Sequence, residues 1–503
     1  MPEPNQRMNT GVPGLDDILQ GGLPGGEMYL LEGDPGTGKT TIAMQFLLEG
    51  IRRNEPVLYL SLSEPEQELR RSADSHGWDF SVVPVVEFIP DEASLGSDEQ
   101  YTVFHPTDVE LSSTIDRMSA EVEKAKPTRL VIDSLSELRL LAVDNIRYRR
   151  QLLALKRFFA GRRTTVLMLD DRTSDGHDRQ LQSIAHGVIR LEKLARTFGV
   201  TRRQIEILKL RGSTFREGFH DYNIHYEGVI VYPRLVAAEH STTFEHTVVQ
   251  SGLPQLDKLF GGGIPRGSST LIIGPTGSGK SSIAMQYAYT AASQGERAII
   301  YAFDEVLRTA QERAEGLGLD VRPLIDAGTL AMSQVDPAEL SPGEFIWQIR
   351  RDVEDRHTKL VVIDSLNGFL NSMPGETDLL LHLHELLAFL NQKGVVSLLI
   401  MTQHGLVGTM QAQVDVSYLS DTVLLLRYFE ASGRIRQSLA VLKKRVGNHE
   451  RTLRELTFQD NRIQVGEALE DFQGVLTGVP TYLGNRPPDS AVGSSQRETF
   501  LGN

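Results

Sequence analysis

The chain has 503 residues, of which 40% are hydrophobic and 23% charged, with a formal net charge of −14 and no cysteine. The missing cysteines exclude disulfides, thiolate zinc sites and cysteine nucleophiles together. The acidic balance argues against a general nucleic-acid coat, which depends on lysines and arginines neutralising phosphates. The opening MPEPNQRMNT lacks the apolar stretch of a signal peptide, and no window approaches roughly 18 uninterrupted apolar residues, so the expectation is a cytoplasmic chain with no membrane contact.

In chain order, the first strong element is an apolar run, Met28-Tyr29-Leu30-Leu31, followed by Gly33-Asp34-Pro35-Gly36-Thr37-Gly38-Lys39-Thr40 and then a helical pattern from Ile42. The octamer reads G-x-x-x-x-G-K-[ST]. Its glycines let backbone N–H groups turn inward around a β-phosphate, its lysine reaches the β and γ oxygens, and its threonine hydroxyl holds magnesium. The expected nucleotide-binding residues are Gly36, Thr37, Gly38, Lys39, Thr40 and Thr41, and the expected ligand is ATP with Mg2+. A lone Gly-rich octamer can be an ordinary strand-to-helix turn, but a strand before it and a helix after it are the context the motif needs.

Two more strands end in acids. Val57-Leu58-Tyr59-Leu60-Ser61-Leu62-Ser63-Glu64 offers Glu64 as the carboxylate that orients or deprotonates an attacking oxygen, with capping of the following helix as the alternative. Leu130-Val131-Ile132-Asp133 offers Asp133 as the magnesium acid. Asp170-Asp171 also end an apolar run, and acids near a γ-phosphate are unfavourable unless magnesium or a cation compensates. Arg147, Arg149 and Arg150 form a basic cluster, which reads as a solvated helix face or a local patch. Late in the first half, Lys209 and Arg211 alternate on a strand and present two cations on one face. Such cations suit the transition-state charge of a γ-phosphoryl group, and a solvated edge strand is the alternative.

The whole arrangement then recurs. Asn9-Thr10-Gly11-Val12-Pro13-Gly14-Leu15-Asp16 is answered by Gln250-Ser251-Gly252-Leu253-Pro254-Gln255-Leu256-Asp257, 241 positions later, and Lys39 by Lys280 at the same spacing. A period this long means two domains, since solenoid repeats run about 20 to 50 residues. The second loop assigns Gly277, Ser278, Gly279, Lys280, Ser281 and Ser282 to nucleotide, with Ser281 and Asp364 for magnesium, as Thr40 and Asp133 are in the first. Asp304 and Glu305 are the candidate bases; adjacent carboxylates repel, so one of them holds its proton more tightly. Lys443 and Arg445 repeat the late cation pair, and Arg350 and Arg351 are a second basic cluster. The expected layout is a first domain over residues 1–236, a linker over 237–246, a second domain over 247–478 and a flexible tail over 479–503.

With loop, acids and late K-x-R all present twice, the chain resembles the KaiC family of ATPases and autokinases within the RecA-like superfamily, over roughly residues 8 to 480. The marks are T-G-x-P-G-L-D with G-G-x-P, the doubled loops, and the stretch from Ser417 to Glu430. The resemblance implies an α/β fold of two tandem RecA-like P-loop NTPase domains, each a mainly parallel twisted sheet flanked by helices. It also implies a homohexameric double ring with ATP between neighbouring subunits, so that Lys209, Arg211, Lys443 and Arg445 reach the adjacent chain's nucleotide. The first ring would hydrolyse ATP slowly and bind a KaiB-like partner. The second would transfer phosphate to an acceptor pair, here Ser417-Tyr418, where tyrosine replaces the family's threonine. Ser63 replaces a glutamate in the first half, and the tail carries no recognisable KaiA-responsive segment. The alternatives from other classes are a RecA-type or DnaB-type DNA-dependent motor and a non-catalytic ATP-gated scaffold.

Overall fold

Each half builds one nine-stranded sheet, and the two sheets share a strand order. In the first half the strands run Val85–Glu87, Val57–Ser61, Arg129–Asp133, Thr165–Asp171, Met28–Gly33, Gly187–Leu194, Arg202–Leu210, Phe219–His225, Gly228–Tyr232. In the second they run Leu330–Gln334, Ala298–Ala302, Leu360–Asp364, Val396–Thr402, Ser269–Gly274, Thr422–Ala431, Arg434–Lys444, Arg454–Gln459, Arg462–Ala468. In each sheet the first six are parallel and the last three antiparallel. This is the expected tandem RecA-like architecture. The computed structural model describes residues 7–88, 106–142, 145–172, 179–195, 199–371, 379–403, 417–431, 433–477 and 480–484.

The sequence reason is the buried, unbroken apolar run. Parallel strands covered by helices on both faces need hydrophobic side chains on both. Met28–Gly33 is buried at every position. Its alternate residues separate as a strand requires: Tyr29 and Leu31 join one core cluster with Ile42, Phe46, Tyr59 and Val131, while Met28 and Leu30 join another with Leu60, Ile132 and Tyr148. The second sheet divides in the same way, Ile272 with Ile283 and Val362 on one face, Leu271 with Val361 and Phe345 on the other. Among the described residues no helix is long and apolar enough to cross a membrane.

The chain divides into two compact units, Met1–Arg234 and Leu235–Asn503. The segment expected as a linker is packed on the second unit. Leu235 and Ala237 are buried in its core, the Ala237 amide donates to Glu385 Oε2 at 2.9 Å, and the Thr242 hydroxyl donates to the Gln392 carbonyl at 3.0 Å. The reason is its apolar residues, which the lack of periodicity concealed. The expected tail also begins in order: Thr481–Tyr482 pairs antiparallel with Phe472–Gln473, and the Tyr482 ring lies 5.2 Å from that of Phe472. The rest of the tail, from 485 onward, lies outside the described residues.

One buried cation distinguishes the first sheet. Arg129 opens the strand that ends in Asp133, is fully buried, and donates to the Asn9 carbonyl at 2.7 Å, the Phe46 carbonyl at 2.9 Å and Glu55 at 2.6 Å. Its guanidinium also stacks 4.8 Å from the Phe46 ring. It thereby ties the loop helix, the N-terminal segment and the acid-bearing strand together; Leu360 opens the matching strand of the second sheet. Truncating a buried, paired charge leaves its partners unsatisfied. Arg129→Ala is expected to destabilise the first unit by about 3–5 kcal/mol, read as an early transition in denaturant unfolding with the second unit's transition unmoved.

Candidate functional site

The two loops sit at the carboxyl ends of their central strands, where open parallel sheets bind ligands. Gly38 and Gly279 immediately precede the loop helices in the left-handed region, at φ 93° and 99°. A Cβ at Gly279 would lie 2.5 Å from the Phe458 ring, and one at Gly38 would lie 2.9 Å from Ile224. Only glycine fits there. The N-cap glycines supply no side-chain cap to either helix, Lys39–Arg52 or Lys280–Ser293, which leaves the helix N-termini suited to an anion. The loops are braced from the strands that follow the loop strand in the sheet order. Tyr222 donates to the Thr37 carbonyl at 2.6 Å, and Tyr428 and Gln437 donate to the carbonyls of Thr276 and Gly277, each at 3.3 Å. Thr37 and Ser278 are fully buried, and Thr41 and Ser282 nearly so.

The two loop lysines are in different company. Lys39 forms an ion pair with Asp171 at 2.7 Å and donates to the carbonyls of Gly33 at 2.8 Å and Asp34 at 3.1 Å. Lys280 donates to the Pro275 carbonyl at 2.7 Å, and burial lowers its ammonium to about 8. Thr402, level with Gly274, stands in the second half where Asp171, level with Gly33, stands in the first.

The candidate magnesium residues converge in both halves. The Thr40 hydroxyl lies 3.2 Å from Asp133 Oδ2, and the Ser281 hydroxyl bonds Asp364. Burial pushes both carboxyls above the ordinary aspartate value, and hydrogen bonds from Tyr59 and Thr40 oppose the shift at Asp133. Tyr59 itself donates to Asp133 Oδ2. All of these donors are oxygen, as a hard divalent cation requires. Among the described residues no group of three or more acidic or histidine side chains forms a metal cage by itself. One carboxylate, one hydroxyl and the phosphates of the nucleotide suit magnesium better than a closed protein cage does.

The candidate bases do not cap the helices that follow them, Glu66–Ser75 and Leu307–Gly316: the N-cap residues Pro65 and Val306 supply no side-chain cap, and the first amide of Glu66–Ser75 donates to Glu87 Oε1 at 2.5 Å. Glu64 is half-buried, and its carboxyl is pushed up first by burial, then by Asp133, Glu68 and Asp171. In the second half the two acids separate. Ser365 donates its hydroxyl to Asp304, and Glu305 pairs with Arg313 at 2.7 Å.

The late cations lie at the other edge of each sheet. Lys209 is level with Val188 and hence with Leu30, near the start of the loop strand, and Lys443 is level with Val423 and Leu271. With a rise of about 3.3 Å per residue, that is about 10 Å along the strands from Gly33 or Gly274. Lys209 donates to the Gln182 carbonyl and Arg211 to the Ser183 carbonyl at 2.8 Å. Lys443 donates to the carbonyls of Ser417 at 2.9 Å and Ser420 at 2.7 Å, and Arg445 to that of Tyr418 at 2.7 Å. Ser417 and Tyr418 are therefore gathered with the cations and away from their own loop. Tyr418 is exposed and Ser417 half-buried.

A sequence profile described as "ATPase: KaiC" matches residues 8–236 and again 249–470. The chain belongs to the KaiC ATPase family. It is 28% identical over 495 residues to the circadian clock oscillator protein KaiC of Thermosynechococcus vestitus, covering 95% of this chain and 92% of that one. It is 27% identical over 485 residues to the circadian clock protein KaiC3 of Synechocystis sp., covering 95% of each. KaiC of Prochlorococcus marinus is 28% identical over 493 residues, covering 94% of this chain and 95% of the other.

Several contacts in this KaiC-family chain escape motif reading. Asp170 and Asp171, for which the sequence offers no partners, find cations in the structure: Asp171 on Lys39, and Asp170 on Arg139 at 2.5 Å with the Ser136 hydroxyl at 3.0 Å. Tyr59 reaches the candidate magnesium acid Asp133 from the neighbouring strand, and Arg313 holds Glu305. The basic clusters are mostly solvated faces: Arg350 and Arg351 pair with Glu354 and Asp355 one turn on, and Arg147 and Arg150 are exposed.

The electrostatics of Glu64 fix a sign. A base must be ionised, and burial with neighbouring acids makes Glu64 retain its proton to higher pH. In a Lys280→Ala chain the acid limb of phosphate release against pH is expected above the ordinary glutamate value. Asp171→Asn removes one of the repelling charges and should move that limb to lower pH. A limb at the ordinary value and unmoved by Asp171→Asn would count against the role of Glu64.

Proposed function

We propose that the chain is an ATP-hydrolysing, self-phosphorylating homohexamer that binds nucleotide between neighbouring protomers in two rings and signals its state to protein partners, one of them KaiB-like. The carrying observation is the placement of the late cations and Ser417 at the sheet edge opposite their own loop. Lys443 and Arg445 lie about 10 Å along the strands from their own loop, which supports a site where another protomer presents its loop to that edge. A head-to-tail ring supplies such an interface at every seam.

Within that frame, Gly36 to Thr41 and Gly277 to Ser282 hold the phosphates, and Thr40 with Asp133, and Ser281 with Asp364, hold Mg2+. The metal, when bound, neutralises developing charge on the β and γ oxygens. Glu64 orients or deprotonates water in the first ring. Asp304 and Glu305 take the proton from the acceptor hydroxyl in the second, and Lys209, Arg211, Lys443 and Arg445 stabilise charge across the seam. Ser417 is the acceptor of choice because its hydroxyl lies beside the backbone that Lys443 grips, whereas the exposed Tyr418 carries its oxygen farther out. The names of the relatives, circadian clock proteins, support a timing or state-reporting role.

Incubation with γ-labelled ATP is expected to label the protein, and Ser417→Ala to remove most of the label while Tyr418→Phe retains it. Label that survives Ser417→Ala and disappears in Tyr418→Phe would transfer the acceptor role to the tyrosine. No label in either background, with phosphate still released, would remove the kinase reading.

A further inference from the structure

Two adjacent carboxylates beside a triphosphate are electrostatically expensive, and the second half contains the means to accommodate them. Arg313, on the helix Leu307–Gly316, reaches Glu305 with two nitrogens, Nη2 to Oε2 at 2.7 Å and Nε to Oε1 at 3.3 Å. Its Nη1 lies 3.5 Å from the hydroxyl of Ser282, in the first turn of the loop helix. Both partners are about one quarter exposed, at 26% and 28% of their side-chain surface. The guanidinium thus joins the candidate base to the helix that holds the phosphates. A planar fork binding both carboxylate oxygens fixes orientation as well as charge, which a lone ammonium does not.

The first half lacks both parts of this arrangement. Ser63 stands where Asp304 does, and Ser72 stands where Arg313 does, eight positions after the glutamate in each half. Among the described residues Glu64 forms no ion pair with either arginine of its following helix, Arg70 or Arg71, and Arg70 is paired with Glu66. The extra acid and the arginine therefore occur together in one half and are absent together from the other.

We propose that Arg313 is a positioning residue of the second nucleotide site, holding the Glu305 carboxylate against the loop helix so that it meets the phosphoryl acceptor in a fixed orientation. This rests on the assignment of Glu305 as a base of that site. Arg313 acts through Glu305 and is not itself a ligand of the phosphates. The consequence is that the second site depends on a contact inside its own protomer that the first site does not use.

The test is a double-mutant cycle in the full-length Lys39→Ala chain, with phosphate release and serine labelling as readouts. Arg313→Gln is expected to lower kcat about tenfold with KM for ATP changed less than about threefold, the pattern of a group felt in the transition state. Arg313→Lys, which keeps the charge and loses the fork, should recover part of that loss. Added to Glu305→Gln, Arg313→Gln should cost nothing further, because it acts through a carboxylate already gone. Additive losses, or an unchanged kcat with Arg313→Gln, overturn the proposal. If the Lys39→Ala parent neither releases phosphate nor takes label, the catalytic reading of the second site fails. Arg313 is then judged by carbodiimide labelling of Glu305, read by peptide mass mapping. Replacing the arginine should expose Glu305 to the reagent; equal labelling with and without Arg313 sinks it.

Discussion

Six parallel strands deliver their carboxyl ends to one edge of each sheet, and that edge is where the loop glycines, the loop lysine and the acids have to be. The three antiparallel strands that complete the sheet reverse direction, so residues at the end of the first of them return to the opposite edge. This one constraint of chain direction separates Lys209 and Arg211 from Lys39, and Lys443 and Arg445 from Lys280. It also carries Ser417 away from the nucleotide held by its own half. In the proposed ring, a chemistry that needs all of these groups at one phosphate draws them from two chains.

The two halves share that plan and differ in charge. In the first, a carboxylate on the fourth strand, Asp171, neutralises the loop lysine, and Glu64, which forms no ion pair among the described residues, stands among acids that discourage its ionisation. In the second, Lys280 donates to the Pro275 carbonyl and feels the charge of Asp364, while the acids are divided between the Ser365 hydroxyl and Arg313. The same fold thus holds two electrostatically distinct cradles. A difference of this kind is what a protein needs if one cradle is to favour water as the nucleophile and the other a serine.

Much of this was legible in the sequence because the information is local. The loops, the strand-end acids Asp133 and Asp364 and the repeat are each contained in runs of a few residues whose spacing fixes their chemistry. The glutamate positions were found the same way, since they end apolar strands. What could not be read was long-range pairing. Nothing near Asp171 in sequence names Lys39, and nothing near Tyr59 names Asp133; adjacency of strands decides both. Arg313 is only eight residues from Glu305, and a search for a cation two turns along the following helix would have found it. The late K-x-R residues were recognised as a pair, but the edge to which they belong required the register of the antiparallel strands. The second unit begins at Leu235, inside the expected first domain, and takes in Ala237 of the expected linker, because apolar residues without a period can still be buried against a helix.

The central claim is that each nucleotide is served by two protomers, and mixing defective chains measures it directly. In a Lys39→Ala background, one chain carries Lys280→Ala and the other Lys443→Ala, so that neither forms a competent second site with itself. Assembled together before ATP is added, with mixed rings verified by native mass, random seams should restore about a quarter of the second-site phosphate release of the parent, since one seam in four joins an intact loop to an intact lysine. Mixed rings that stay as inactive as the separate chains would contradict a site shared between neighbours.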